Sequence, residues 1–443
     1  MHNTKNEKQK TISGFSKLSK VGKLKWLAEN FFKDPQATID ELMSYWHTDD
    51  DQQKILDGFS ENTLSNFPMP FGVAPNFVID GKPYAVPMVI EESSVVAAAS
   101  MAAKYWMTRG GFKTTILGTV KIGQVHFKWY GDKEILQSIF PEIKERLKQD
   151  TKPITTNMDK RGGGILDIEL VDFTDKEEGL YQLRCSFETC DSMGANFINS
   201  VLEQFGKSLQ EFIAEHPKTS DDANQLMVIM CILSNFTPDC VVRAEVSCPI
   251  ADLGTMGSDL DAEALAHKFW TAIRIAEIDP YRATTHNKGI FNGIDAVVLA
   301  TGNDFRAIEA CGHAYAARDG QYKSLSHCSI ENDVFRFWID MPLAVGTVGG
   351  LTSIHPIAKK SLELLGNPSA KDLMKVIAVT GLAQNFAAVR SLITSGIQSG
   401  HMKMHLVNIL HQLKATDNQI KNAVEHFNDK VVSFSAVRDY INA

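Results

Sequence analysis

The amino-acid sequence predicts an α+β fold, in which a large, mainly helical domain carries an inserted strand-rich domain and ends in a helical flap. Three observations point to it. Apolar residues recur at helical spacing near the N-terminus, as in Leu18, Val21, Leu24 and Leu27, where positions three or four apart share a face. From about Thr114 the period changes to two, in GTVKIGQVHFKWYG, ILDIELVDF and LYQLRCSFET, as half-buried strands require. After Gln225 the chain reads as helix again, with Gly-rich bends such as VGTVGGLTS. The expected boundaries are 1–113 and 223–393 for the large domain, 114–222 for the insertion and 394–443 for the flap.

The elements follow in order. Residues 17–32 form a first helix, and DPQATIDELMSYW leads into a second. FPMPFGVAPNFVIDGKPYAVPMVI is extended chain with a hairpin at Asp80-Gly81, a pair suited to a two-residue turn. EESSVVAAASMAAKYW then turns helical, and its Ala/Ser surface admits close approach of another backbone. The insertion adds a turn at Glu178-Gly179 and a helix, MGANFINSVLEQF, with Met193, Phe197, Val201 and Phe205 on one face. Hinges to the large domain are expected at 109–115 and 217–224. The chain ends as two amphipathic helices, 391–413 and 418–440. The SGIQSG segment, with Gly396 and Gly400, gives that end the hinges of a flap.

The formal charge of −8 leaves no general basic surface for a nucleic-acid backbone, while a local basic pocket for a phosphorylated ligand stays open. Seven cysteines without a CxxC pair fit reduced cytosolic thiols rather than a disulfide framework or a structural zinc. The N-terminal MHNTKNEKQKTISG lacks the apolar core of a secretory signal, and no apolar run approaches the roughly 20 residues of a membrane span. A cytoplasmic protein with neither nucleic-acid nor membrane partner is expected.

Neither GxGxxG nor a P-loop motif occurs, so a dinucleotide would be held by other means. CDSMGAN supplies one. Asp191 or Ser192 can cap the next helix and Gly194 can admit a phosphate to its first amides, although an ordinary cap with a packed glycine uses the same residues. Glu91 and Glu92 precede the Ala-rich helix. They are either a solvated, dipole-favoured end or, with one carboxyl desolvated beside Val89, Ile90 and Val95, a proton donor near neutral pH. His401 and His405 have the i, i+4 spacing of a metal clamp, but no further ligand cluster is near them in sequence; a histidine at a glycine-flanked hinge is instead a mobile acid.

Lys288 and Asp304 stand in Gly/Asn-rich bends on either side of the apolar run AVVLA. Charges at both ends of a buried element are costly unless paired or used. On one unbroken helix they would lie about 24 Å apart. A joint role therefore needs a fold-back at Gly289, Gly293 or Gly302, or a second subunit; a buried ion pair joining two segments is the structural alternative.

Taken together, FGVAPNFVIDGKPYAVPMVIEESSVVAAAS, DSMGAN, YRATTHNKGIFNGIDAVVLATGNDFRAIEA, LAQNFAAVRSL and GIQSGHMKMH resemble the signature segments of the soluble, bacterial class II HMG-CoA reductases, in the same order from residue 71 to 405. The resemblance implies reduction of the HMG-CoA thioester to mevalonate by two hydride transfers from two reduced nicotinamides, with release of coenzyme A, or the reverse reaction in mevalonate breakdown. It implies Glu92 as proton donor, Lys288 as the oxyanion-stabilising lysine, Asp304 as the aspartate that tunes this network and His401 as the acid for the leaving thiolate. Asp191, Ser192, Met193, Gly194, Ala195 and Asn196 would contact the nicotinamide cofactor, with Asn235 beside them. Ser94, Arg282, Asn292 and Gln384 would hold the acyl group and coenzyme A, and Lys17 would substitute for a basic coenzyme A contact at Ser16. No metal is implied. The resemblance further implies a ferredoxin-like insertion and a homodimer, or a higher oligomer, with active sites at the subunit interface.

The chemistry accounts for these residue types. Hydride attack on a thioester creates an oxyanion, which an ammonium held by a carboxylate stabilises in a dry site. The expelled thiolate, whose conjugate acid has a pKa of about 8.5, needs a nearby acid. Arg282 suits a free carboxylate through its planar fork. Three places depart from the family pattern: ENTLSNFPMPFG lacks the Ile-Gly that follows Glu-Asn, Ser93 replaces a proline, and Ser16 stands at a basic position. Two other readings stay open. One is a reductase of another acyl-CoA, which would leave Arg282 unpaired; the other is a silent coenzyme A or nucleotide sensor, which would be expected to have lost one of the four catalytic residues. In QDTKPITTNMDKRGGG, which by resemblance approaches the adenosine ribose, Lys152, Lys160 and Arg161 favour a 2′-phosphate, and Asp150 and Asp159 a free hydroxyl. The balance leans to NADPH over NADH.

Overall fold

The computed structural model describes residues 10–394, 406–427, 430 and 432–442. Three helices open the chain: α1 (Lys20–Phe31), α2 (Pro35–Ser44) and α3 (Asp50–Asp57), with Ser19, Asp34 and Asp49 each accepting from a first-turn amide. Such caps satisfy donors that a helix leaves open. The extended run folds into an antiparallel hairpin of β1 (Phe71–Ile79) and β2 (Lys82–Val89). Its two-residue turn puts Asp80 at φ 50° and Gly81 at φ 82°, the left-handed pair a tight hairpin needs. Helix α4 (Ser93–Met107) lies against β1.

Two four-stranded sheets follow. β3 (Lys113–Ile116) precedes a run of β4 (Lys121–Trp129), α5 (Lys133–Asp150), α6 (Lys152–Asp159), β5 (Gly164–Asp172), β6 (Leu180–Glu188), α7 (Ala195–Glu215) and β7 (Leu226–Leu233). Strands β4 to β7 pair antiparallel in the order β5-β6-β4-β7. Inward Val125, Phe127 and Trp129 of β4 share a core with Ile143 of α5 and Val201 and Phe205 of α7. β3, however, pairs with β8 (Val241–Pro249) in a second sheet, ordered β3-β8-β10-β9, with β9 (Ser326–Glu331) and β10 (Val334–Pro342). The alternating stretch from Thr114 thus serves two sheets, with crossings at 117–120 and 234–240, and β7 carries the small sheet past residue 222, the end expected for the insertion. A period of two reports a half-buried strand, not the sheet it joins.

The second sheet is surrounded by α8 (Ala262–Ile278), α9 (Pro280–Ala300), α10 (Phe305–Ala316), α11 (Gly350–Ile354), α12 (Pro356–Leu364) and α13 (Ala370–Ile393). By length and hydropathy α13 would pass as a membrane span, contrary to expectation; it is buried along most of its length within the protein, which accounts for its composition. It crosses α9 closely. A methyl on Gly293 would meet the Thr380 carbonyl at 2.7 Å and Gln384 Cβ at 2.9 Å, and one on Gly381 would meet Ile294 at 2.7 Å.

This crossing explains the largest departure from the sequence reading. The bend expected around Lys288 is the interior of an unbroken helix, begun by Asp279, which caps the Tyr281 amide, with Pro280 in the first turn. An interior glycine costs about 1 kcal/mol relative to alanine, and at Gly293 the close approach of α13 offsets it.

The C-terminal residues pack around Leu406, Leu410, Ala423 and Val437. The stretch expected as one helix over 418–440 is two: after α14 (406–412) come α15 (Asp417–His426), capped by Thr416, and α16 (Phe434–Ile441), capped by Ser433. The expected hinges Gly396 and Gly400, and His401 and His405 between them and α14, lie outside the described residues.

Candidate functional site

The loop between β6 and α7 turns tightly, with Cys190 at φ 51° and Gly194 at φ 94°. Ser192 Oγ donates to the Thr189 carbonyl at 2.9 Å, and Thr189 Oγ1 donates to the Ser192 carbonyl at 2.7 Å. Helix α7 begins after Gly194 and has no side-chain cap, so neither Asp191 nor Ser192 caps it as the sequence suggested. Asp191 is engaged elsewhere: its Oδ1 accepts from the Ala370 amide and its carbonyl from the Thr347 amide, each at 2.8 Å. The loop is thereby tied to the start of α13.

Gly346 presses on the same loop. A Cβ there would lie 2.4 Å from the Met193 nitrogen, and its amide donates to Asn303 Oδ1 at 2.8 Å. A cleft of about 430 Å³ opens beside it, lined by Ser192, Gly194 and Asn196 together with Gly302, Asp304 and Gly349. Glycines expose backbone to a ligand, and an uncapped helix start favours an anion. These donors fit a dinucleotide phosphate. Behind the loop, Met193, Ala195 and Asn235 border a cavity of about 20 Å³ with Lys121.

A second group of expected residues stands on α4, α9 and α13, which pack on one another. Glu92 occupies the N-cap of α4 and accepts a hydrogen bond from Ser94 Oγ. Gln384 is 6% exposed, and its Oε1 has no partner among the described residues. Such an orphan costs about 1–3 kcal/mol, which a donating ligand would relieve. Arg282 is half-buried, burial holds its guanidinium below the ordinary range, and no carboxylate pairs with it among the described residues. Lys288 is exposed and Asn292 half-buried, neither with a side-chain partner among the described residues. Next to Lys288 on α9, His286 Nε2 lies 2.6 Å from Ser326 Oγ, which donates to Asn385 Oδ1 at 2.8 Å.

The family model for hydroxymethylglutaryl-coenzyme A reductase matches residues 23–406. The chain belongs to the hydroxymethylglutaryl-coenzyme A reductase family. It is 37% identical over 420 residues to the 3-hydroxy-3-methylglutaryl-coenzyme A reductase of Archaeoglobus fulgidus, covering 94% of this chain and 90% of that one. With a probable reductase of Borreliella burgdorferi the identity is 32% over 409 residues, covering 92% and 90%. The fold is similar to the class II reductase of Streptococcus pneumoniae bound to NADPH in open conformations, with 34% identity, a TM-score of 0.70 and coverage of 93% and 99%.

In this member of the reductase family one chain does not bring Lys288 to Asp304. No fold-back occurs at Gly289 or Gly293, which are helical, and Gly302, at φ 70°, turns the chain only after α9 has ended. Asp304 caps α10, accepting from the Arg306 and Ala307 amides and pairing with the Arg306 guanidinium at 2.9 Å. The buried ion pair offered as the alternative is not found among the described residues, where Lys288 has no ion pair and Asp304 pairs with Arg306. Asp295 on α9 faces Glu309 on α10, and burial followed by that neighbouring carboxyl pushes its pKa up. Lys17, in a 3-10 turn, is exposed, with no side-chain hydrogen bond or ion pair among the described residues. Asn303 and part of VGTVGGLTS, which the sequence marks only as a bend, also line the cleft; the three glycines of that bend were the available signal. No motif in the sequence marks Lys121, which is buried beside the small cavity.

Proposed function

We propose that this protein reduces HMG-CoA to mevalonate, with a nicotinamide cofactor held in the cleft beside Gly194 and Gly346. The observation that carries the reading is the meeting of Ser192, Gly194 and Asn196 with Asp304 in one cleft, in a chain of the reductase family. When bound, the reduced nicotinamide supplies the hydride. Lys288 stabilises the oxyanion, helped by Asp304 of the partner subunit, which makes the protein a homodimer with shared sites. Glu92, hydrogen-bonded to Ser94, gives the proton that completes the alcohol. His401 protonates the departing thiolate as the flap closes. Arg282 takes the substrate's free carboxylate, Gln384 and Asn292 the acyl group, and Lys17 a coenzyme A phosphate.

The order βαββαβ, with strands arranged β7-β4-β6-β5, supports a ferredoxin-like unit that presents Asp191 to Asn196, with Asn235, to the cofactor. Local charge supports NADPH: Asp159 is engaged by Lys152 Nζ at 2.9 Å and Thr155 Oγ1 at 3.0 Å, whereas Lys160 and Arg161 are exposed without ion pairs among the described residues. A cytoplasmic setting follows the same reading. The test is loss of reduced-nicotinamide absorbance when the protein meets HMG-CoA, with NADPH and NADH in parallel. Two cofactors consumed per coenzyme A released is the expected result; no turnover from folded protein would favour another acyl-CoA or a sensor.

A further inference from the structure

Lys121 begins β4 on its inward side, in line with Val125, Phe127 and Trp129. It is 4% exposed, and among the described residues no Asp, Glu, Arg or other Lys is as deeply buried. Its Nζ donates to Thr189 Oγ1 at 2.7 Å, and no carboxylate pairs with it there. The cavity of about 20 Å³ at its side has room for one water. That cavity is also bordered by Ala195 and Ile198 of the first turn of α7, where the helix dipole disfavours a second positive charge. Burial and electrostatics both oppose a lysine here, so its presence calls for a use.

Thr189 supplies that use. An ammonium only donates, so the Thr189 hydroxyl must accept from Lys121 and turn its own proton outward, onto the Ser192 carbonyl at 2.7 Å. Its methyl meanwhile fills the space of the missing Gly194 side chain, 2.5 Å from where that Cβ would be. We propose that Lys121 is a positioning residue: it fixes Thr189, and through Thr189 the Ser192 to Gly194 turn on which the nicotinamide cofactor rests. The inference rests on the cofactor site proposed above.

The full-length protein carrying Lys121→Met, Thr189→Val or Thr189→Ser is titrated with NADPH, followed by nicotinamide fluorescence, and with coenzyme A by calorimetry. Lys121→Met is expected to weaken NADPH by about fivefold or more, the worth of one lost hydrogen bond. Coenzyme A affinity should stay within about twofold, as for independent sites. The melting temperature should hold or rise, because a lone buried cation is gone. Thr189→Ser keeps the hydroxyl relay and its affinity; Thr189→Val, closer in shape, loses it. Unchanged NADPH affinity in Lys121→Met overturns the inference, as does Thr189→Val binding no more weakly than Thr189→Ser. If Lys121→Met fails to fold, the threonine pair decides alone. A wild-type protein that binds neither NADPH nor NADH overturns the cofactor site itself and this inference with it.

Discussion

Lys288 and Asp304 are held apart by a single unbroken helix. Lys288 lies on α9 about 18 Å before its last residue, and Asp304 caps the next helix beyond that end. That rise alone exceeds the reach of a lysine side chain. If both act in one site, they come from different subunits, and inactive Lys288→Ala and Asp304→Ala chains should complement each other. In a mixed dimer one site carries both lesions and the other neither. An equal mixture, after subunit exchange, should recover about a quarter of wild-type activity. No recovery, with mixed dimers demonstrated by tagged pull-down, would mean that one chain supplies both residues.

Gly293→Ala should disturb both stability and the proposed acyl pocket. The added methyl would meet the Thr380 carbonyl at 2.7 Å and Gln384 Cβ at 2.9 Å, and a backbone oxygen within a buried helix yields little. Overpacking of this kind costs about 1–3 kcal/mol, less the roughly 1 kcal/mol gained in helix propensity. A lower urea midpoint with a raised KM for HMG-CoA, and an unchanged KM for cofactor, is expected. A rise in stability would show that the α9/α13 crossing is looser than described.

His286 makes stability depend on acid. Burial first, then the charges of Arg282 and His327, lower its pKa to about 3, whereas an unfolded histidine protonates near 6.5. Between those values the unfolded chain binds the extra proton, so this residue's contribution is intact above pH 6.5 and declines as pH falls towards 3, by up to about 1.4 kcal/mol per pH unit. His286→Gln should begin less stable at pH 8, having lost the ring's contact with Ser326, yet lose less between pH 8 and 5 than wild type. Parallel losses in the two proteins, read from denaturant curves, would contradict a neutral buried ring.

Local signals were legible where a residue's own neighbours decide its conformation. Asp80-Gly81 specified a hairpin turn because left-handed backbone is needed there, and the small-residue run after Glu92 specified a helix because its alanines favour one and it holds no Gly or Pro. Distant partners were not legible. Gly293 looked like a bend because Thr380 and Gln384, which require its missing side chain, lie far along the chain. Asp191 looked like a helix cap because its acceptor role towards Ala370 spans 179 residues. The proposed catalytic types could be assigned by resemblance, but their assembly could not: α9 keeps Lys288 and Asp304 apart within one chain, and a single chain's spacing does not encode a second subunit. Lys121 was visible in principle, as a charge at an inward position of an alternating strand, where local pattern and global burial conflict.

The proposed adenosine end of the cofactor site gives the last prediction. Lys160 and Arg161 follow α6 at the glycine turn whose Gly162 and Gly164 take φ of 87° and 119°, and both are exposed. The nearest competing acid, Asp159, is already held by Lys152 and Thr155. A 2′-phosphate arriving there would meet two cations that have no ion pair among the described residues, and charged hydrogen bonds of this sort contribute about 1.5–3 kcal/mol before salt screening. The double variant Lys160→Ala, Arg161→Ala should therefore lose about tenfold or more in kcat/KM for NADPH, with the NADPH loss shrinking as ionic strength rises, while NADH is little affected. Equal losses with both cofactors would assign the two side chains to the shared pyrophosphate instead. No loss with either would remove this turn from the cofactor site and leave the choice of nicotinamide to other residues.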